Sequence, residues 1–142
     1  MKEKKSCLLY HLNKASNMIK WELNHYLKDY DITSAQWRVL MYLAESPHRG
    51  ATPGLIAEKL NVERPAITRV IDSLVKESLI IKEDNPHDRR SQLVIPTDKA
   101  EKIMPQLKLI GNRLMEKSFN NFNNDEVQQL NAYLISVIQN LR

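Results

Sequence analysis

One cysteine, three glycines and no long apolar run each close off a class of protein. A single thiol, Cys7, makes no internal disulfide, so nothing in the sequence argues for secretion. Three glycines are too few and too poorly placed for a phosphate-cradling loop. No segment approaches the ~20 apolar residues of a membrane span. After the basic start Met1 to Lys5, the stretch Cys7-Leu8-Leu9-Tyr10 is too short for a signal peptide. The expected location is the cytoplasm, with no membrane partner. His11, His25, His48 and His87 form no ligand spacing with each other or with Cys7, so no metal is expected. No Ser-His-Asp set or paired carboxylates can be assembled, and the chain is read as no enzyme and as needing no cofactor.

What remains is a chain of 142 residues, 42% hydrophobic and 27% charged, which suits one domain with a real core. Lysine and arginine number 21 against 17 acidic residues, a net charge of +4. That balance fits a polyanionic partner only if the cations cluster, so their placement matters more than their number.

Apolar residues at Leu8, Leu12, Ala15, Ile19, Leu23, Tyr26 and Tyr30 recur every three or four positions, which predicts one long amphipathic helix from about Lys4 to Tyr30. Thr33 with Gln36 three residues on predicts a capping box for a second helix, with Trp37, Leu40, Met41 and Ala44 as its buried face. Pro47, Gly50 and Pro53 mark a connection. Thr52-Pro53 starts a short helix to Leu60, and Pro65 suits the first turn of another that runs to about Ser78. The period then shortens. Leu79–Glu83 and Gln92–Ile95 read as strands around a polar tip, Asn85 to Arg90. Thr97 caps a helix carrying Ile103, Leu107, Ile110 and Leu114, in which Pro105 should introduce a kink or delay the regular part. Asn120 to Asn124 reads as a loop. Asn123 and Glu126 cap a last helix with a seam of Val127, Leu130, Leu134, Val137 and Leu141.

The segment Leu55 to Leu74 meets the packing needs of a helix-turn-helix. Ala57 is small where the second helix crosses, Asn61 tolerates positive φ in the turn, and Leu60, Val62, Ile67, Val70 and Leu74 lock the helices together. With those residues buried, Arg64, Ala66, Thr68, Arg69, Ser73 and Lys76 fall on or near the open face beside Pro65. Asp72 lies there too, facing either DNA or a neighbouring cation. Such a face suits the major groove, where arginine reads guanine and threonine or alanine meets a thymine methyl. The hairpin tip adds Asp88, Arg89 and Arg90; arginine is attracted into a narrow minor groove, and Asp88 can orient one guanidinium.

The element order, the run Arg64-Pro-Ala-Ile-Thr-Arg-Val-Ile-Asp-Ser-Leu74, the phrase Asp88-Arg-Arg and Thr97-Asp-Lys-Ala100 resemble the MarR family of bacterial regulators, and within it the SlyA-like members. The sequence departs at Pro96, where the family usually has leucine, and at Ala100, where glycine is frequent. The resemblance implies a mainly α fold with a small β-hairpin wing: a winged helix-turn-helix lobe over 32–97 with dimerisation helices over 1–31 and 98–142. It implies a homodimer on a pseudo-palindromic operator in double-stranded DNA, acting as repressor or anti-repressor, with the recognition helix at about 64–77 in the major groove and the wing at 84–92 in the minor groove. It also implies a site for a small aromatic acid effector at Asn17, Lys20, Trp37 and Met41, where core packing of Trp37 and Met41 is the competing reading. Some members sense oxidants through a cysteine near the position of Cys7; a plain half-buried thiol is the competing reading there. Intramolecular packing of the first and last helices competes with the dimer. A winged-helix protein-interaction module and a nonspecific DNA organiser are the alternative functions.

Overall fold

The computed structural model describes residues 2–46 and 50–142, with side chains from Cys7 onward; Met1, Pro47, His48 and Arg49 lie outside them. The order is α1 (Lys2–Leu27), a 3-10 turn (Lys28–Tyr30), α2 (Ser34–Glu45), α3 (Pro53–Leu60), α4 (Arg64–Lys76), β1 (Ile80–Asp84), β2 (Gln92–Pro96), α5 (Asp98–Ser118) and α6 (Asn124–Asn140). The fold is mainly helical with one antiparallel hairpin, as the sequence implies.

Capping sets most boundaries. The Thr33–Gln36 and Asn123–Glu126 capping boxes both form, and Thr52 and Thr97 accept from backbone N–H groups of α3 and α5. The first long helix tightens into the 3-10 turn and stops at Asp31, φ 53°. Pro105 does not delay α5, which is continuous from Asp98. The hairpin pairs Ile80 with Pro96 through to Asp84 with Gln92. Ala51 joins it by exchanging two backbone hydrogen bonds with Val94, at 3.1 and 2.7 Å, which extends the sheet at a position that carries no strand pattern in the sequence.

The core lies where α2, α4, α5 and the hairpin meet. Leu40, Leu43, Ile56, Ile67, Ile71, Leu74, Ile80, Val94 and Leu107 are fully buried there, and Leu27 closes it from the end of α1. Each such side chain contributes about 1.5–3 kcal/mol of transfer free energy. The buried face of α2 differs from the expected one. Ser34, Gln36, Val39, Leu40 and Leu43 form it, Trp37 and Met41 are half-buried at its edge, and Ala44 is exposed. The stripe is turned because α2 packs on both α4 and α5, so its buried arc must serve two neighbours. Trp37 meets α5: its Nε1 donates to the Leu107 carbonyl at 2.9 Å, and the ring lies so close to Gly111 that an added Cβ there would sit 2.8 Å from Cζ2.

The two terminal helices use only part of their apolar stripes within the chain. Leu23 and Leu27 are buried, but Leu8, Met18 and Trp21 of α1 are more than half exposed. The last helix, α6, buries no residue at all, and Tyr133, Leu134, Ile135, Val137 and Ile138 all stand exposed on it.

Candidate nucleic-acid interface

The sequence Ala57-Glu-Lys-Leu-Asn61-Val62 builds the turn between α3 and α4. Asn61 takes φ 54°, ψ 48°, while its N–H donates to Glu58 O (3.2 Å) and that of Val62 to Ala57 O (3.0 Å). This is the paired pattern that ends a helix at a left-handed residue, and asparagine tolerates it better than most side chains. Arg38 of α2 donates to the Leu60 carbonyl at 2.8 Å and holds the turn from the other side.

The second helix of the pair, α4, buries Ile67, Ile71 and Leu74 at steps of four and three. That stripe fixes its phase. Arg64, Pro65, Thr68, Arg69 and Lys76 are exposed, with Ala66 half-buried. Arg64 lies across the start of α3: a Cβ on Gly54 would come within 3.0 Å of its Nη1, so a glycine there leaves room for the guanidinium. Thr68 donates its hydroxyl proton to Arg64 O, 3.0 Å away, one turn back.

Two residues at the border of this face have partners within the chain. Ser73 is half-buried and turned toward α2, where it accepts from Gln36 Nε2 at 3.0 Å and donates to Val70 O at 2.6 Å. Asp72 is exposed and paired with Lys82 of β1 at 3.2 Å, which settles its neighbour in favour of a cation of the wing. Lys82, Gln36 and Gly54 thus belong to the surroundings of the interface without having been legible as such. The signal for Lys82 was present, since a lysine in the first strand after the helix sits within reach of its last turns.

The wing tip is held by its own short-range bonds. Asn85 Oδ1 accepts from His87 N and its Nδ2 donates to Ser91 Oγ, both at 3.0 Å. Asp88 Oδ1 accepts from Arg90 N at 3.0 Å and from Arg90 Nε at 3.3 Å. The guanidinium oriented by Asp88 is therefore that of Arg90, whose side chain is 93% exposed. Arg89 beside it is exposed as well. The base of the wing is fixed to the scaffold, because Thr97 donates to Ser78 O at 2.7 Å and Lys99 to Glu77 O at 2.8 Å, tying the end of α4 to the start of α5. Arg64, Arg69 and Lys76 are thus carried on one helix, and Arg89 and Arg90 on a hairpin bonded to its end.

The other expected sites are more scattered. Asn17 and Lys20 are exposed on α1, while Trp37 and Met41 are half-buried beside α5. A cavity of about 450 Å³ lies between the end of α2, Pro96 and α5, lined by Leu43, Met104 and Lys108 among others, and none of those four residues lines it. Cys7 is exposed rather than half-buried. Among the described residues no group of histidine, cysteine and carboxylate side chains could hold a metal ion. No described helix is long and apolar enough to cross a membrane.

A model of the MarR family matches residues 30–91. In sequence the chain is 28% identical over 114 residues to YybA, an uncharacterized HTH-type transcriptional regulator of Bacillus subtilis, covering 80% of this chain and 75% of that protein. In structure it is similar to a mutant MarR from E. coli complexed with operator DNA, at 30% identity and TM-score 0.82, with 96% of this chain and 97% of that one covered. CouR from Rhodococcus jostii, bound to p-coumaroyl-CoA, shares the fold at TM-score 0.84 and 19% identity, with 92% and 90% covered.

Proposed function

Because the chain belongs to the MarR family of transcriptional regulators, we propose that it binds a pseudo-palindromic operator as a homodimer and controls transcription from it. The observation that carries the proposal is the outward face of α4. A helix locked by Ile67, Ile71 and Leu74 presents Arg64, Thr68, Arg69 and Lys76 to solvent, and the hairpin beside it presents Arg89 and Arg90. An apolar outward face would suit a protein partner; a polar, cationic one suits DNA. In this reading Thr68 and Arg69 meet base edges in the major groove, Arg90 enters the minor groove, and Arg64, Lys76 and Arg89 hold phosphates. The MarR relative is complexed with operator DNA, which supports the same use of the same fold.

The dimer half of the proposal rests on α1 and α6. An amphipathic helix draws most of its stability from tertiary packing of its apolar face, yet α6 has no fully buried residue and only Val127 and Leu130 half-buried. Its exposed Leu134, Val137 and Ile138, and Leu8 and Met18 of α1, are apolar side chains of the kind that a second copy would cover. Two-fold symmetry then sets the recognition helices about one DNA turn apart, ~34–36 Å. A small aromatic acid is proposed as effector, with Lys20 meeting its carboxylate and Trp37 stacking on its ring. CouR, a neighbour in fold, is bound to an aromatic thioester.

Selection from a random duplex pool tests the operator reading. Enrichment of a two-fold symmetric sequence supports it. Salt-sensitive binding without enrichment would instead identify a nonspecific organiser, and absence of binding a protein-interaction module.

A further inference from the structure

Among the described residues, the buried polar side chains are Ser34 and Gln36, and they sit together at the first turn of α2. A buried amide is costly unless it is paired, and once paired its geometry is specified in a way that apolar contact is not. Every described partner here comes from a different place. Gln36 Oε1 accepts from Thr33 N at 3.0 Å, completing the cap of α2. Gln36 Nε2 donates to Ser73 Oγ of α4 at 3.0 Å. The Ser34 N–H donates to Asn24 Oδ1 of α1 at 3.0 Å. A run of four residues thus grips α1 on one side and α4 on the other.

The exposed Asp72–Lys82 pair and the Thr97–Ser78 and Lys99–Glu77 bonds tie the later turns of α4 to the wing and α5 from outside, while toward the core α4 is otherwise held by apolar contacts of Ile67, Ile71 and Leu74. Such contacts are non-directional and tolerate small rotations of the helix about its axis. The bond to Ser73 does not, because rotation would carry Ser73 away from a fixed amide. Ser73 lies four and five residues beyond Arg69 and Thr68 on the same helix, so whatever fixes its azimuth also fixes theirs.

We infer that Gln36 is a positioning residue for operator recognition: its bond to Ser73 fixes α4 on α2, which the neighbouring Ser34 N–H ties to Asn24 of α1, and it thereby sets the pose of the recognition helix relative to the partner-facing helix and the half-site spacing that the dimer accepts. The inference rests on the operator and dimer reading above. Gln36 touches no DNA in this scheme. Its product is the difference in affinity between a correctly spaced palindrome and one with a base pair added or removed between half-sites.

The experiment uses the full chain and the selected palindrome with its two misspaced derivatives, measured at fixed salt. Ser73→Ala cuts the joint and leaves the cap. Gln36→Leu cuts both. Thr33→Val weakens the cap and leaves the joint. Wild type and Thr33→Val should show the same preference for correct spacing. Ser73→Ala and Gln36→Leu should lower that preference by about 2- to 10-fold, the factor expected from one hydrogen bond of ordinary net strength. A direct DNA contact by Ser73 would instead weaken all spacings equally, and that result would overturn the inference. So would a Ser73→Ala variant with the parental preference, or a Thr33→Val variant that loses as much. If Gln36→Leu fails to fold, Ser73→Ala carries the comparison alone. A wild type that selects no palindrome contradicts the operator reading itself and removes the joint's role with it, an outcome visible before any variant is made.

Discussion

Replacing Gly111 by alanine sets two effects of opposite sign against each other. In the interior of a helix, glycine to alanine ordinarily stabilises by about 1 kcal/mol. At Gly111 the new Cβ would stand 2.8 Å from Trp37 Cζ2 and 3.3 Å from Cη2. The indole cannot yield freely, since its Nε1 is bonded to Leu107 O at 2.9 Å on the same helix. Overpacking costs about 1–3 kcal/mol, and losing the indole bond costs roughly 1 kcal/mol more. The sum outweighs propensity, and Gly111→Ala should destabilise by about 1–3 kcal/mol. Urea unfolding followed by circular dichroism measures it, at one fixed protein concentration because association shifts the midpoint of a dimer. A second comparison isolates the cause. With Trp37→Leu already in place, the same Gly111→Ala change should stabilise by about 1 kcal/mol, a reversal of sign that only direct contact explains. If Gly111→Ala alone is stabilising, the close approach of Trp37 to α5 is refuted.

Three other outcomes follow from the geometry. Ser78 ends α4 at φ 59° without being glycine; Ser78→Gly should raise stability by about 0.5–1 kcal/mol in the same unfolding assay, as the left-handed penalty exceeds the entropic cost of glycine. Arg69→Ala should cost about 1–3 kcal/mol on the selected operator and relax the preference at one base, whereas Lys76→Ala should weaken all sequences alike and lower the salt slope by about one, as titrations across salt will read. The third concerns pH. The ammonium of Lys117 bonds Glu22 at 2.9 Å and holds that carboxyl below its ordinary value, while Glu22 raises Lys117. The depressed carboxyl contributes stability that is present above its unfolded value and lost as pH falls through the folded one. The raised amine contributes stability that is present below its unfolded value and lost as pH rises through the folded one. The α1–α5 contact should therefore weaken below about pH 4.5 and above about pH 10.5, and Lys117→Met should flatten the acid limb of a stability–pH curve.

Local chemistry was legible in the sequence; arrangements set by distant partners were not. The caps at Thr33, Thr52, Thr97 and Asn123 and the left-handed turn at Asn61 depend on residues a few positions apart, and they stand where the sequence puts them. The hairpin tip is similar, because Asp88 and Arg90 are near neighbours. Ser73 shows the opposite case. It borders the buried stripe of α4, where periodicity leaves its direction open, and an amide 37 positions earlier in the chain decides it. The buried face of α2 departs from its single apolar stripe for a related reason, since a helix serving both α4 and α5 hides a wider arc than one stripe. Ser78 gave no signal because the residue usually found in that conformation is glycine. The exposed faces of α1 and α6 are a further case: the sequence marks them as apolar, and the described chain leaves most of them uncovered.

The central claim is specific recognition of a two-fold DNA site by a dimer. Its most direct test is an equilibrium titration, at physiological salt, of the selected palindrome, its isolated half-site and a scrambled duplex, with the number of chains bound determined by sedimentation. The account predicts two chains on the palindrome and affinity at least ~10³-fold above the scrambled duplex, with the half-site much weaker than the whole. Equal affinity for palindrome and scrambled DNA, or a single chain bound to the full site, would contradict it.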